Sequence, residues 1–154
     1  MLTWNGGFLS RWRFVPINGD GIDDLIIGAR FADNNGRNSG SSYVVFGSRD
    51  SFSSTLDLSQ LDGSNGFRLD GTPTVVEFGS SVSSAGDING DGIDDLIIGA
   101  YTAGPGFSYV VFGSRDGVKA ILNLSGLDGS NGFRLDGAAR GEQSGRSVSM
   151  EKIR

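Results

Sequence analysis

Asp87-Ile88-Asn89-Gly90-Asp91-Gly92-Ile93-Asp94-Asp95-Leu96-Ile97-Ile98-Gly99-Ala100 joins an acidic, glycine-punctuated loop to an apolar run. Its last twelve residues have a verbatim copy at Asn18–Ala29, 71 positions earlier. Two further stretches repeat behind it. Tyr43–Asp50 returns as Tyr109–Asp116, and Leu61–Gly71 returns as Leu127–Gly137, both at an offset of 66. The five-residue difference falls in one polar segment, Arg30 to Gly40, whose counterpart is the shorter Tyr101 to Gly106. Insertions confined to such a stretch are what surface loops tolerate. The chain is therefore an array of near-identical units, each too small to bury its own apolar face alone.

Within the second unit, four short strands are expected: Ser80–Ser84, Asp95–Ala100, Ser108–Phe112 and Gly132–Leu135. Leu96-Ile97-Ile98 and Tyr109-Val110-Val111-Phe112 are continuous apolar runs, suited to strands covered on both faces, as between stacked blades. Phe133-Arg134-Leu135 alternates, as a strand with one face in water does. The pattern predicts an all-β chain of two four-stranded propeller blades, one incomplete; a two-sheet sandwich is the alternative. The expected divisions are a non-repeating N-terminus at 1–14, a first unit at 15–71 lacking its normal first strand, a second at 72–137, and the start of a third at 138–154. The third is heralded by Gly145-Arg146-Ser147-Val148-Ser149, which parallels Gly79-Ser80-Ser81-Val82-Ser83. Propellers need about four to eight blades. The chain is thus expected to be a piece of a longer protein, from a truncated or frame-shifted reading frame, or to complete a ring with other copies.

Composition narrows the function. The 154 residues include 26 glycines and three prolines, which suits an all-β protein full of tight turns. A formal charge of −5 argues against nucleic acid or an anionic membrane as partner. No apolar stretch approaches the roughly 20 residues of a membrane helix, and residues 1–8 do not read as a signal peptide. There is no cysteine and no histidine, which removes disulfides, thiolate chemistry and every serine–histidine triad. The two lysines, Lys119 and Lys152, sit in no recognisable catalytic motif, so no catalytic residue is assigned and the chain is expected not to be an enzyme. Gly-Ser-Asn-Gly at 63–66 and 129–132 reads as a turn ordered by Asp62 and Asp128, not as a phosphate loop. Trp4 and Trp12 fall in the non-repeating segment and receive no functional role.

The acidic loop is where chemistry is expected. Asp87, Asn89, Asp91 and Asp95 occupy positions 1, 3, 5 and 9, with a glycine at position 6, the spacing that begins a calcium loop. The Ile93 carbonyl would join them in an oxygen-only cage, which suits Ca2+ better than Mg2+ and excludes a zinc-type set. Position 12 is Ile98 and a strand follows, so a helix-loop-helix is rejected. The bland reading is a hydrated Asp-Gly turn whose acids only solubilise it. Asp94 is given no metal role. In the first copy Pro16 replaces the first aspartate, leaving Asn18, Asp20, the Ile22 carbonyl and Asp24 as a weaker set, with a vestigial turn as its rival reading.

Phe78-Gly79, the loop from Gly86 to Gly92, and Asp95-Leu96-Ile97-Ile98-Gly99-Ala100 together resemble the FG-GAP repeat of integrin α-subunit propellers and their bacterial relatives. The proline of the Gly-Ala-Pro triplet is absent, since the chain has Gly99-Ala100-Tyr101 and Gly28-Ala29-Arg30. The resemblance implies a seven-bladed propeller with calcium in hairpins on one face, extracellular or cell-surface, binding a protein or cell-surface ligand in adhesion. It carries the metal-ligand pattern onto Asp87, Asn89, Asp91, Ile93 and Asp95, and incompletely onto Asn18, Asp20, Ile22 and Asp24. Two other functions compete: an accessory segment of a larger exported enzyme, and an architectural spacer that self-associates through exposed blade faces.

Overall fold

The computed structural model describes residues 16–74, 77–101 and 104–151. Along the described chain run β1 (Leu25–Ala29), β2 (Ser41–Val45), β3 (Gly66–Asp70), β4 (Phe78–Gly86), β5 (Asp95–Ala100), β6 (Phe107–Val111), β7 (Ile121–Asn123) and β8 (Gly132–Asp136). Two single 3-10 turns, Leu58–Gln60 and Leu124–Gly126, are the helical content of the described residues. The chain is all-β, in two four-stranded sheets ordered β1-β2-β3-β7 and β4-β5-β6-β8.

Each repeated apolar run forms the same ladder in both sheets. Ile26 faces Val44 across β1 and β2, and Ile97 faces Val110 across β5 and β6. Val44 faces Phe67, and Val110 faces Phe133, on the next strand. These β-branched and aromatic cross-strand pairs are what a pleated surface packs well. Three strands of the second sheet differ from the expected bounds. β4 starts at Phe78, because Phe78 pairs with Ala100 ahead of a register shift before Ser81. β6 ends at Val111, because the Phe112 N–H turns to the Asn131 carbonyl at 3.0 Å. β8 runs one residue further than expected, since Asp136 still pairs with Phe107. The anomaly expected in the first strand of the first unit falls on residues outside the described ones.

One feature of the topology was not expected. β7 belongs to the second unit but lies along the outer edge of β3, in parallel, with Leu69 opposite Leu122. The Arg68 N–H also bonds the Ala120 carbonyl at 2.9 Å. The first sheet thus gets its fourth strand from the second unit. Residues 118–124 work as a strap across to the preceding blade.

The core lies between the sheets. Val44, Phe67 and Leu69 from the first meet Phe78, Leu96, Ile98, Ala100, Tyr109 and Val111 from the second. Phe78 is fully buried and sets its ring edge-to-face on Tyr109, with centroids 5.6 Å apart. The two sheets approach so closely that a Cβ at Gly28 would overlap the Gly79 carbonyl. The segment expected to start a third unit meets the second blade in the same way. Ser144 bridges to Gly106 as Phe78 bridges to Gly40, and Gln143 and Glu77 share a left-handed φ of 57°.

Candidate functional site

The second acidic loop leaves β4 at Gly86 and enters β5 at Asp95. Gly90 and Gly92 both have left-handed φ values, 80° and 83°, which an L-residue with a side chain resists. Asp87 lies against this turn. Its Oδ1 accepts the Gly90 and Asp91 N–H groups at 2.7 and 3.0 Å, and its Oδ2 accepts that of Gly92 at 2.9 Å. Asn89 Oδ1 accepts the Asp91 N–H at 3.0 Å, while Asn89 Nδ2 donates to Asp91 Oδ2 at 3.0 Å. Asp91 Oδ1 accepts the Ile93 N–H at 2.8 Å.

Asp95 anchors the far side of the loop. It has no exposed surface, and its two oxygens accept the Ile88 N–H and the Gly113 N–H, each at 3.0 Å. Burial pushes its carboxyl pKa above the ordinary value, opposed by those N–H groups and reinforced by the Asp91 charge. Asp95 and Asp91 are therefore electrostatic neighbours. Asp87, Asn89, Asp91 and Asp95 all turn onto the loop's own donors or its immediate flank. Among the described residues, however, no three acidic side chains stand together as a ready metal cage. The four residues share one loop, and their side-chain oxygens accept from backbone N–H groups and from the Asn89 amide. Asp94 also keeps a partner and is half-buried.

The first loop keeps the same skeleton without its first carboxylate. Pro16 contributes only its carbonyl, which takes the Gly19 N–H at 2.8 Å. Asp20 accepts the Ile22 N–H at 2.8 Å and the Asn18 amide at 3.0 Å, and Asn18 Oδ1 accepts the Asp20 N–H at 3.0 Å. Asp24 Oδ1 accepts the Gly47 N–H at 2.8 Å, as Asp95 does from Gly113. Asp24 Oδ2, by contrast, is buried and finds no partner of ordinary hydrogen-bond geometry among the described residues, though the backbone of Ile17 and Asn18 lies near the carboxyl. Burial raises the Asp24 pKa, and the Asp20 charge adds to the rise. A buried carboxylate oxygen with nothing to bond is costly, and a cation is one remedy. The donor set is all oxygen, so these residues fit a hard divalent ion such as Ca2+ in chemistry.

Two groups at the site went unnoticed in the sequence, the Gly47 and Gly113 N–H donors. The signal was present, since both lie in the repeated Phe-Gly-Ser of 46–48 and 112–114. The turns at Asp62 and Asp128 follow expectation. Each carboxylate accepts the N–H and the hydroxyl of the serine two residues on, at 2.9 and 2.6 Å.

The FG-GAP repeat family model matches residues 17–45 and 78–111, which span both acidic loops and the strands that follow them. The two units are FG-GAP repeats. Relatives of these FG-GAP units include integrin alpha-6 of Gallus gallus, 33% identical over 106 residues, covering 68% of this chain and 9% of the relative. Integrin alpha-8 of Mus musculus is 37% identical over 139 residues, covering 80% and 12%. Integrin alpha-PS5 of Drosophila melanogaster is 36% identical over 104 residues, covering 67% and 9%. The chain thus spans about a tenth of the length of these relatives. Its sheets are two FG-GAP blades of integrin α-like type, and no described helix is long and apolar enough to cross a membrane.

Proposed function

We propose that this chain is a calcium-stabilised FG-GAP propeller segment that serves adhesion or protein interaction outside the cell, with no catalytic role of its own. The observation that carries the metal part is the glycine-turned acidic loop, which sets Asp87, Asn89, Asp91 and the fully enclosed Asp95 within nine residues at the entry to β5. Asp87, Asn89, Asp91, the Ile93 carbonyl and Asp95 would hold the ion in the second loop. Asn18, Asp20, the Ile22 carbonyl and Asp24 would hold one more weakly in the first. A bound divalent ion supplies positive charge to neutralise clustered carboxylates.

The chain's own residues then do structural work. Asp95 ties the loop to Gly113 at the end of β6, so fixing the loop also fixes two strands against each other. Asp87 and Asp91, which accept backbone N–H groups of the loop, would turn carboxylate oxygens to the ion. The integrin names of the relatives support an extracellular protein-binding role, by likeness of repeat rather than of whole protein.

The test is thermal unfolding of the chain during a titration from chelator to millimolar calcium, repeated with Asp95→Asn. The wild-type midpoint is expected to rise with calcium and the variant's to rise much less. A wild-type midpoint that stays flat to millimolar calcium overturns the metal reading.

A further inference from the structure

A three-residue segment of the second blade touches both acidic loops. Phe112 carries the chain out of β6 into Gly113-Ser114-Arg115. On the side of the second loop, the Gly113 N–H donates to Asp95 Oδ1 at 3.0 Å, and a Cβ at Gly113 would overlap the Asp94 carbonyl. On the side of the first, the Ser114 N–H donates to the Ile17 carbonyl at 2.9 Å. The same Cβ would stand 2.7 Å from that carbonyl oxygen, so only glycine fits between the loops.

Ile17 is buried and stands directly before Asn18, the first side chain of the expected ligand set. The backbone of Ser114 is thereby fixed at the root of the first loop. Arg115 extends from it across the turn. A Cβ built on Gly19 would lie 2.7 Å from both Cγ and Nε of Arg115 and 3.2 Å from Cδ. The stem therefore lies along Gly19, between Asn18 and Asp20, while the residue as a whole stays exposed. Gly19 also has a left-handed φ of 71°, so the position is closed to side chains on two counts.

This placement brings a guanidinium to a loop that already has Pro16 in place of its first carboxylate. Among the described residues Arg115 closes no ion pair with a carboxylate. Its charge acts through space on Asp20 and Asp24, screened over about 10 Å at 0.1 M salt. Two carboxylates with a guanidinium beside them present a cation with much less negative charge than Asp87, Asp91 and Asp95 do. Two changes thus weaken the first loop for a metal: Pro16 removes a negative charge and Arg115 adds a positive one.

Building on the calcium reading of the two loops, we propose that Arg115 is the tethered cation of the first one. Delivered from the second blade, it supplies part of that loop's positive charge and holds down its affinity for calcium. The effect is tied to blade packing. Gly113 fastens the segment to Asp95 and Ser114 fastens it to Ile17, so the arginine stays at Gly19 only while the blades are docked.

The experiment compares the wild type with Arg115→Met, which keeps an aliphatic stem on Gly19 without the charge, and Arg115→Lys, which keeps both. Arg115 is exposed, so both variants should fold, and circular dichroism confirms it. Calcium is titrated calorimetrically at low salt, and melting midpoints are read in chelator. Arg115→Met is expected to raise the calcium affinity of the first loop about three- to tenfold, and Arg115→Lys to leave it as in the wild type. Salt of about 0.5 M should shrink the gain, and Asp20→Asn should abolish it, which assigns it to the first loop. In chelator at low salt, Arg115→Met should melt below Arg115→Lys, and that gap should close in the Asp20→Asn background. A first loop whose calcium binding is unchanged by Arg115→Met overturns the proposal and leaves the calcium reading standing. A chain that binds no calcium in either loop overturns that reading instead. The chelator midpoints then decide on the arginine: the gap supports its charge role, and equal midpoints overturn it.

Discussion

Leu25-Ile26-Ile27 and Leu96-Ile97-Ile98 are the same three residues in the same ladder, yet Leu25 is 58% exposed and Leu96 is 6% exposed. Nothing local separates them. The second run has a blade in front of it and the first faces away from one. The acidic loops add a second contrast at the same ends of the same strands. Asp87 gathers three backbone N–H groups in the second loop, while Pro16 offers only a carbonyl in the first. Among the described residues, one repeat is covered and carries an aspartate at the head of its acidic loop; the other is uncovered and carries a proline there. Burial here is a property of a unit's neighbours, and the hydrogen bonding of the acidic loop is a property of its own residues.

That separation can be broken most forcefully in the core. Leu96→Ala should cost about 2–5 kcal/mol, the range for a buried leucine, while Leu25→Ala should cost within about 0.5 kcal/mol as a surface change. Urea unfolding of both variants decides it. Equal losses would mean that the two blades do not pack as described.

Next comes the ligand contrast. Pro16→Asp should supply the missing carboxylate to the first loop and enlarge the calcium-linked rise in melting temperature. Asp87→Ala should reduce that rise, since charge count tunes calcium affinity. Calorimetric titration would count the sites. If Pro16→Asp adds neither a site nor affinity, the two loops differ by more than this one residue.

The strap sharpens the comparison on a smaller scale. Gly63 and Gly129 have left-handed φ values of 95° and 92°, so alanine should strain both by about 1–2 kcal/mol. Gly63→Ala must in addition displace the Val118 carbonyl, and Gly129→Ala need not. A larger loss of stability at Gly63 is therefore expected, read by the same urea midpoint. Matching losses would count against the strap.

The smallest effect is electrostatic. Asp24 and Asp95 have pKa values raised chiefly by burial, so between the ordinary carboxylate range and those raised values the native chain holds protons that the unfolded chain has released. Their contribution to stability is therefore greatest at low pH and falls as pH rises through the folded values. Asp57, Asp62 and Asp128 are lowered by hydrogen bonds and act in the opposite sense. In chelator, the wild type should lose stability with rising pH relative to an Asp24→Asn, Asp95→Asn double variant. Calcium, which favours the ionised forms, should reverse that relative slope. Parallel melting-temperature curves for the two proteins in chelator would rule the effect out.

The duplicated segment at Asn18 and Asn89 made the strands and their order readable, because a long apolar run behind an Asp-Gly turn has few other conformations to take. That Asp87, Asn89, Asp91 and Asp95 share one glycine-turned loop between two strands was readable too, from their spacing. Their partners were not. Asp95 is held by Gly113, eighteen residues away, and spacing within a loop carries no information about that contact. β7 was hidden for a related reason. Ile121-Leu122-Asn123 is too short to show a period, and its partner β3 lies in the other unit. The exposure of Leu25 was equally illegible, because an identical run is buried seventy-one positions later.

The strap has a consequence for how such chains grow. The second unit holds, between β6 and β8, the fastening that binds it to the unit before, since β7 lies along β3. A tandem duplication of one such length of gene therefore delivers a blade together with its own latch and a matching edge for the next. No compensating substitution in older units is needed, so arrays of this kind can lengthen by simple copying.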